Sequence, residues 1–336
     1  MKSTLLALLI AFGALLLVEM GLRLYATQSD EKSASPPSGK SAFLDHPIYG
    51  RIWRPGYSAE TEGFEKRFVF QINELGLRGP PMSLNKAPGT YRIIFVGAST
   101  TENRYLPYED TFPALVEKKL NERLGGSPRV EVGVLSTGGA NSDLVLARIA
   151  IRVLELSPDL VIVMSASDWM RSLHPDYDPM MLFLASERTP PQSTISFITD
   201  TLLQTQLGQI VWKRRGPPSH AEMVASARAK RRSVPFRDPP NNHFERGLKR
   251  YWWDLHRSGV LCRDSGIAFA LMTKVWLYKN EQPPEENDAL WLSYHNINVR
   301  AGQWNVSPPV ARKWADHYND VVRDVARTND YILINL

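Results

Sequence analysis

Arg92-Ile-Ile-Phe-Val96, running straight into Gly97-Ala-Ser99, is a short, almost wholly apolar segment that meets a turn. An apolar run this short, bounded by small turn residues, reads as a strand buried on both faces, as in a parallel sheet. Downstream, residues 111–124 read as a helix with Phe112, Leu115, Val116, Leu120 and Leu124 on one stripe. Residues 130–135 form a second strand, closed by Thr137-Gly138-Gly139, and residues 142–156 the next helix. Ser157-Pro158-Asp159 breaks that helix, and Leu160-Val-Ile-Val-Met164 is a third strand. After a long irregular stretch, helix returns at 243–262, strand at 267–272, helix at 310–326 and strand at 331–336. The last helix carries Trp314, Tyr318, Val321, Val322 and Val325 on one side. This alternation predicts an α/β fold, a three-layer α/β/α domain whose parallel five-stranded sheet has the flavodoxin-like order 2-1-3-4-5.

Upstream, residues 42–90 hold turn signals: His46-Pro47, Pro55-Gly56 and Asn73-Glu-Leu-Gly-Leu-Arg78-Gly79. They read as a lead-in that packs on the domain edge. Residues 27–41, TQSDEKSASPPSGKS, are a polar tether with no core-forming capacity. Residues 5–18, LLALLIAFGALLLV, are uncharged and apolar. As a helix they span roughly 21 Å, and extension to Tyr25 reaches about 30 Å, a bilayer's hydrocarbon thickness. Glu19 and Arg23 can pair on one helix face, and Tyr25 suits the interface. Residues 1–26 are therefore expected to be an uncleaved signal-anchor helix, with a cleaved signal peptide and a buried core helix as the alternatives. The domain, residues 42–336, is expected on the extracytoplasmic side.

Composition narrows the function classes. The chain has 336 residues, 43% hydrophobic and 22% charged, enough for a packed core. A net charge of +5 is too small to argue for nucleic acid. The lone Cys262 forms no internal disulfide. There is no zinc spacing, and no metal or cofactor is expected. Within residues 165–242, an expected insertion, Lys213, Arg214, Arg215, Arg228, Lys230, Arg231, Arg232 and Arg237 gather positive charge. Such a run is a solvated loop or, given the anchor, a contact for anionic lipid or an acidic partner.

The order of these blocks resembles the SGNH (GDSL-type) hydrolases, especially their membrane-anchored envelope branch. Asn73 to Gly79 resembles that branch's N-x-x-G-x-R-G lead-in, and the Ala87 to Ser99 stretch resembles its nucleophile strand and turn. Glu131-Val-Gly-Val-Leu-Ser-Thr-Gly138-Gly139 is similar to the second block, and Ser157-Pro-Asp-Leu-Val-Ile-Val-Met-Ser-Ala-Ser-Asp168 to the third. The resemblance implies acyl transfer to Ser99, with oxyanion donors at Gly138 and at the third-block position, here Ser167. It also implies a base from a D-x-x-H block after the last strand.

This sequence departs from that pattern. Ser167 stands where the family has asparagine, Ser165 stands for the preceding glycine, and the given sequence stops at Leu336, where D-x-x-H is expected. Losing one oxyanion donor typically costs about 10²–10³ in rate, and losing a triad's base about 10⁴–10⁶. His174, six residues past Asp168, is the histidine considered as a replacement base. The bland alternatives are a capping serine at Ser99, a turn glycine at Gly138 and a turn-orienting Asp168. Without a further helix, Tyr331, Leu333 or their alternates on strand five would face water. The leading expectation is a catalytically incomplete accessory subunit of a membrane complex. The alternatives are an active serine esterase or deacetylase on envelope glycans or lipids, and a carbohydrate-binding module. Expected partners are the bilayer, complex subunits, and a glycan or acyl ester ligand.

Overall fold

The computed structural model describes residues 42–48, 50–165, 241–281, 283–289 and 307–336, with the short pieces 19–20, 222, 225–226, 229, 294–295 and 304–305. The chain divides into two compact units, Met1–Lys40 with Asp178–Met223, and Ser41–Tyr177 with Val224–Leu336. The second unit contains the sheet and is the one described below. No described helix is long and apolar enough to cross a membrane. The expected anchor at 1–26, apart from residues 19 and 20, lies outside the described residues. So do Ser167, Asp168, His174, Lys213, Arg214, Arg215, Arg231 and Arg232.

Two antiparallel hairpins open the unit: β1 (Phe43–His46) with β2 (Gly50–Trp53), and β3 (Ser58–Glu62) with β4 (Arg67–Gln71). The sequence of this stretch shows only turn signals. Ser58-Ala-Glu-Thr-Glu62 has almost no apolar residues, so its strand character comes from its partner, not from its own pattern. Then follow β5 (Thr90–Gly97), the one-turn α1 (Ser99–Glu102), α2 (Phe112–Leu124) and β6 (Arg129–Ser136). Next come α3 (Ser142–Arg148), continued by a π turn and a 3-10 turn to Leu156, β7 (Leu160–Met164), α4 (Asn241–Asp264) and β8 (Ala268–Met272). Past α5 (Pro284–Ala289) and the two-residue pair β9 (Tyr294–His295) and β10 (Trp304–Asn305), α6 (Pro308–Asn329) leads to β11 (Ile332–Ile334).

The central sheet is five-stranded, in the order β11-β8-β7-β5-β6, and every pairing in it is parallel. Counting only these strands, the order is 2-1-3-4-5, as the alternation of the sequence predicts. The period-2 pleat sorts each strand between two cores. Ile94, Val96, Val161, Val163 and Leu271 face one core, which holds Val145 of α3, Tyr251 and Leu255 of α4, and Trp314, Tyr318, Val322 and Val325 of α6. Ile93, Phe95, Ile162, Met164, Ala270 and Met272 face the other, against Phe112, Val116 and Leu120 of α2. Leu115 and Leu124 of the expected α2 stripe are instead 43% and 44% exposed. The helix touches the sheet along a narrower line than its apolar residues would allow. Ile332, Leu333 and Leu336 at the end of β11 are exposed as well.

Candidate functional site

The site begins where three strands end level. Gly97 of β5 pairs with Ser136 of β6 on one side and Met164 of β7 on the other. Beyond this carboxyl edge come Ala98-Ser99, Thr137-Gly138 and Ser165, at the topological switch point where doubly wound sheets place ligands. Gly97 has no room for a side chain, because a Cβ there would run into the Thr101 hydroxyl and the Met164 carbonyl. The Thr101 hydroxyl donates to that same carbonyl at 3.1 Å, locking α1 against β7. Ser99, the first residue of α1, is exposed. Gly138 lies beside it: a Cβ on Gly138 would sit 3.8 Å from Ser99 Cβ and 3.5 Å from Glu102 Oε2. Two residues separated by 39 positions of sequence are thus neighbours.

Glu102, one turn past Ser99, went unnoticed in the sequence and organises the underside of the site. It is 4% exposed. Its Oε1 accepts the Trp53 indole N–H at 2.9 Å, and its Oε2 lies beside Gly138, 3.5 Å from where a Cβ on that residue would sit. Burial pushes its pKa up, against the pull of Trp53, Arg104, the Gly138 N–H and Arg78. The Ser99 hydroxyl makes no hydrogen bond among the described residues, and Ser167 and His174 lie outside them.

The lead-in closes the site from below. Asn73 folds its loop by accepting the N–H groups of Leu75 and Leu77 at 3.0 Å each and donating to the Pro80 carbonyl at 2.9 Å. This sends Arg78 inward. Its guanidinium donates to the carbonyls of Glu102, Asn103 (2.5 Å) and Leu106, and it lies 4.8 Å from the Phe70 ring centroid. The Glu102 carbonyl lies at the end of α1 and the other two in the loop after it, so Arg78 caps the helix end and holds its loop. Burial lowers its pKa to about 10. The main chain of Arg78 also pairs with Val134, extending the outer edge of β6.

A second buried arginine holds the neighbouring loop. Arg148 Nη2 donates to the Thr137 hydroxyl at 2.7 Å and to the Arg51 carbonyl at 2.8 Å, and the Thr137 hydroxyl donates to that carbonyl at 3.1 Å. Burial lowers the Arg148 pKa to about 10, against the pull of Glu102 and Asp143. Arg78 was visible within its motif, but nothing in the sequence assigned it to α1. Among the described residues no group of His, Cys, Asp and Glu is arranged to hold a metal ion. Cys262 is buried and its thiol is pushed up to about 12, so it is not a reactive thiolate.

No family profile matches the chain, and no curated protein matches it. Among solved structures it is similar to AlinE4, an SGNH-hydrolase family esterase, at 13% identity and a TM-score of 0.38, over 74% of this chain and 77% of that one. It is also similar to the acetyl xylan esterase AlAXEase, at 14% identity and a TM-score of 0.38, over 73% and 77%. A GDSL-like lipase from Bacteroides thetaiotaomicron is similar at 12% identity and a TM-score of 0.34, over 76% and 72%.

Proposed function

We propose that this chain is a catalytically incomplete SGNH-hydrolase-like domain, tethered to a membrane with the domain on the extracytoplasmic side, that serves as an accessory subunit of a membrane protein complex. The observation that carries the first half is the buried Glu102 carboxyl beside Gly138, its Oε2 3.5 Å from where a Gly138 Cβ would sit. An oxyanion site needs donors aimed at the developing charge; here an internal carboxyl stands beside the donor position, and Ser167 replaces the asparagine that the resemblance implies. The apolar run at 5–18 supports the tether, and exposed Ile332, Leu333 and Leu336 are consistent with a contact surface for a partner subunit. The test is to treat detergent-purified full chain with a fluorophosphonate probe. Labelling no higher than in Ser99→Ala is expected, together with migration in mild detergent above the 38.0 kDa of one chain. A labelled monomer overturns the reading.

A second reading, an active serine esterase or deacetylase on envelope glycans or lipids, is favoured by one feature: Ser99 is exposed at the carboxyl edge with Gly138 alongside. Labelling abolished by both Ser99→Ala and His174→Ala would establish it and make His174 the base.

A further inference from the structure

A cleft of about 370 Å³ lies between the tip of the β3–β4 hairpin and the loop that follows α1. Its hairpin wall carries Phe64, Glu65 and Lys66, and its loop wall Tyr105, Pro107 and Asp110. Both walls are fixed by the backbone. Gly63 N–H donates to the Lys66 carbonyl at 3.0 Å, closing the hairpin, and Phe64 N–H donates to the Tyr105 carbonyl at 3.3 Å, docking its tip. The two backbones approach so closely that a Cβ on Gly63 would lie 2.8 Å from the Tyr105 carbonyl oxygen. Across the loop, the Arg78 guanidinium holds the Leu106 carbonyl.

The lining mixes two chemistries. Phe64 is 67% exposed and meets Tyr105 at a 5.5 Å centroid separation and 48°, a tilted pair. Around it stand two carboxylates and one ammonium, all exposed. An acyl chain would desolvate three charged groups without a hydrogen bond in return. A polyanion would meet two carboxylates and a single cation. A polypeptide strand would find a hairpin tip here and not a sheet edge. A sugar ring satisfies both halves: its C–H face covers an aromatic ring while its hydroxyls donate to Glu65 and Asp110 and accept from Lys66. We infer that this cleft binds an uncharged sugar ring of an oligosaccharide. Neither Ser99 nor Gly138 lines the cleft, so the inference holds whether or not Ser99 is a nucleophile.

The test is calorimetric titration of the full chain, in a detergent without a sugar headgroup, with cellotriose and with the N-acetylglucosamine trisaccharide. Binding of at least one is expected. Phe64→Ala should weaken it about tenfold, the worth of one aromatic contact. Phe64→Tyr, which keeps the ring, should restore it, and Ser99→Ala should leave it unchanged. Because Phe64 is exposed, the fold should tolerate all three changes. No binding of either trisaccharide at millimolar concentration overturns the inference. So does unchanged binding in Phe64→Ala, or displacement of the sugar by a medium-chain fatty acid or by polyphosphate.

Discussion

The indole N–H of Trp53 donates to the buried Glu102 carboxylate at 2.9 Å, joining the lead-in to the Ser99 turn across 49 positions of sequence. Glu102→Ala leaves this N–H without its acceptor. We expect a loss of about 1–3 kcal/mol, read as a lower urea midpoint at unchanged slope. Glu102→Gln keeps an acceptor and should lose less.

The same carboxyl sets a pH dependence. Burial raises its folded pKa above the ordinary 4.5, so the native state binds more protons than the unfolded state between those two values. Its contribution is fully present below the unfolded pKa and is lost as pH rises through the folded one. Unfolding free energies of the wild type and Glu102→Gln, compared across mildly acidic pH, should diverge with the wild type falling as pH rises. Parallel curves would remove Glu102 as the cause.

Lys274, just past β8, carries the opposite sign. Burial lowers its pKa from 10.5 to about 8, and its Nζ lies 4.4 Å from the Trp276 ring centroid. Between pH 8 and 10.5 the unfolded chain binds the extra proton, so stability should rise with pH across that window. Lys274→Met should flatten this rise and be the more stable protein at neutral pH, measured by thermal unfolding in matched buffers.

Arg78 should not be replaceable by lysine. Its planar fork reaches three carbonyls, whereas an ammonium on a flexible stem is a point donor. We expect Arg78→Lys to cost about 2 kcal/mol or more. Faster amide exchange should appear first in residues 99–106, and uniform exchange across the sheet would contradict the capping role.

Gly97→Ala tests the close approach of α1 to β7. The added methyl meets the Thr101 hydroxyl and the backbone carbonyl of Met164, and the carbonyl cannot yield without disturbing the sheet. We expect a loss of about 2 kcal/mol or more, while Gly89→Ala, with open space around it but a φ of +73°, tests strain without crowding.

The parallel character of the sheet is legible in the sequence alone. Runs such as Arg92-Ile-Ile-Phe-Val96 and Leu160-Val-Ile-Val-Met164 are apolar on both faces, and helices long enough to cross over separate most of them, which leaves a parallel sheet as the economical solution. The sequence also places Ser99 and Gly138 at strand ends, because a strand followed by small residues is a local signal. That these two residues are neighbours follows from the β5–β6 register and not from either segment. The same holds for what surrounds them. Glu102, Trp53, Arg78 and Arg148 are charged or amphipathic residues with no periodic signature, and their burial is stable only because each meets partners distant in sequence. The β3–β4 hairpin was hidden for a related reason: a polar strand shows itself only when its partner supplies the ladder, and the cleft at its tip exists only where that hairpin docks on the loop after α1.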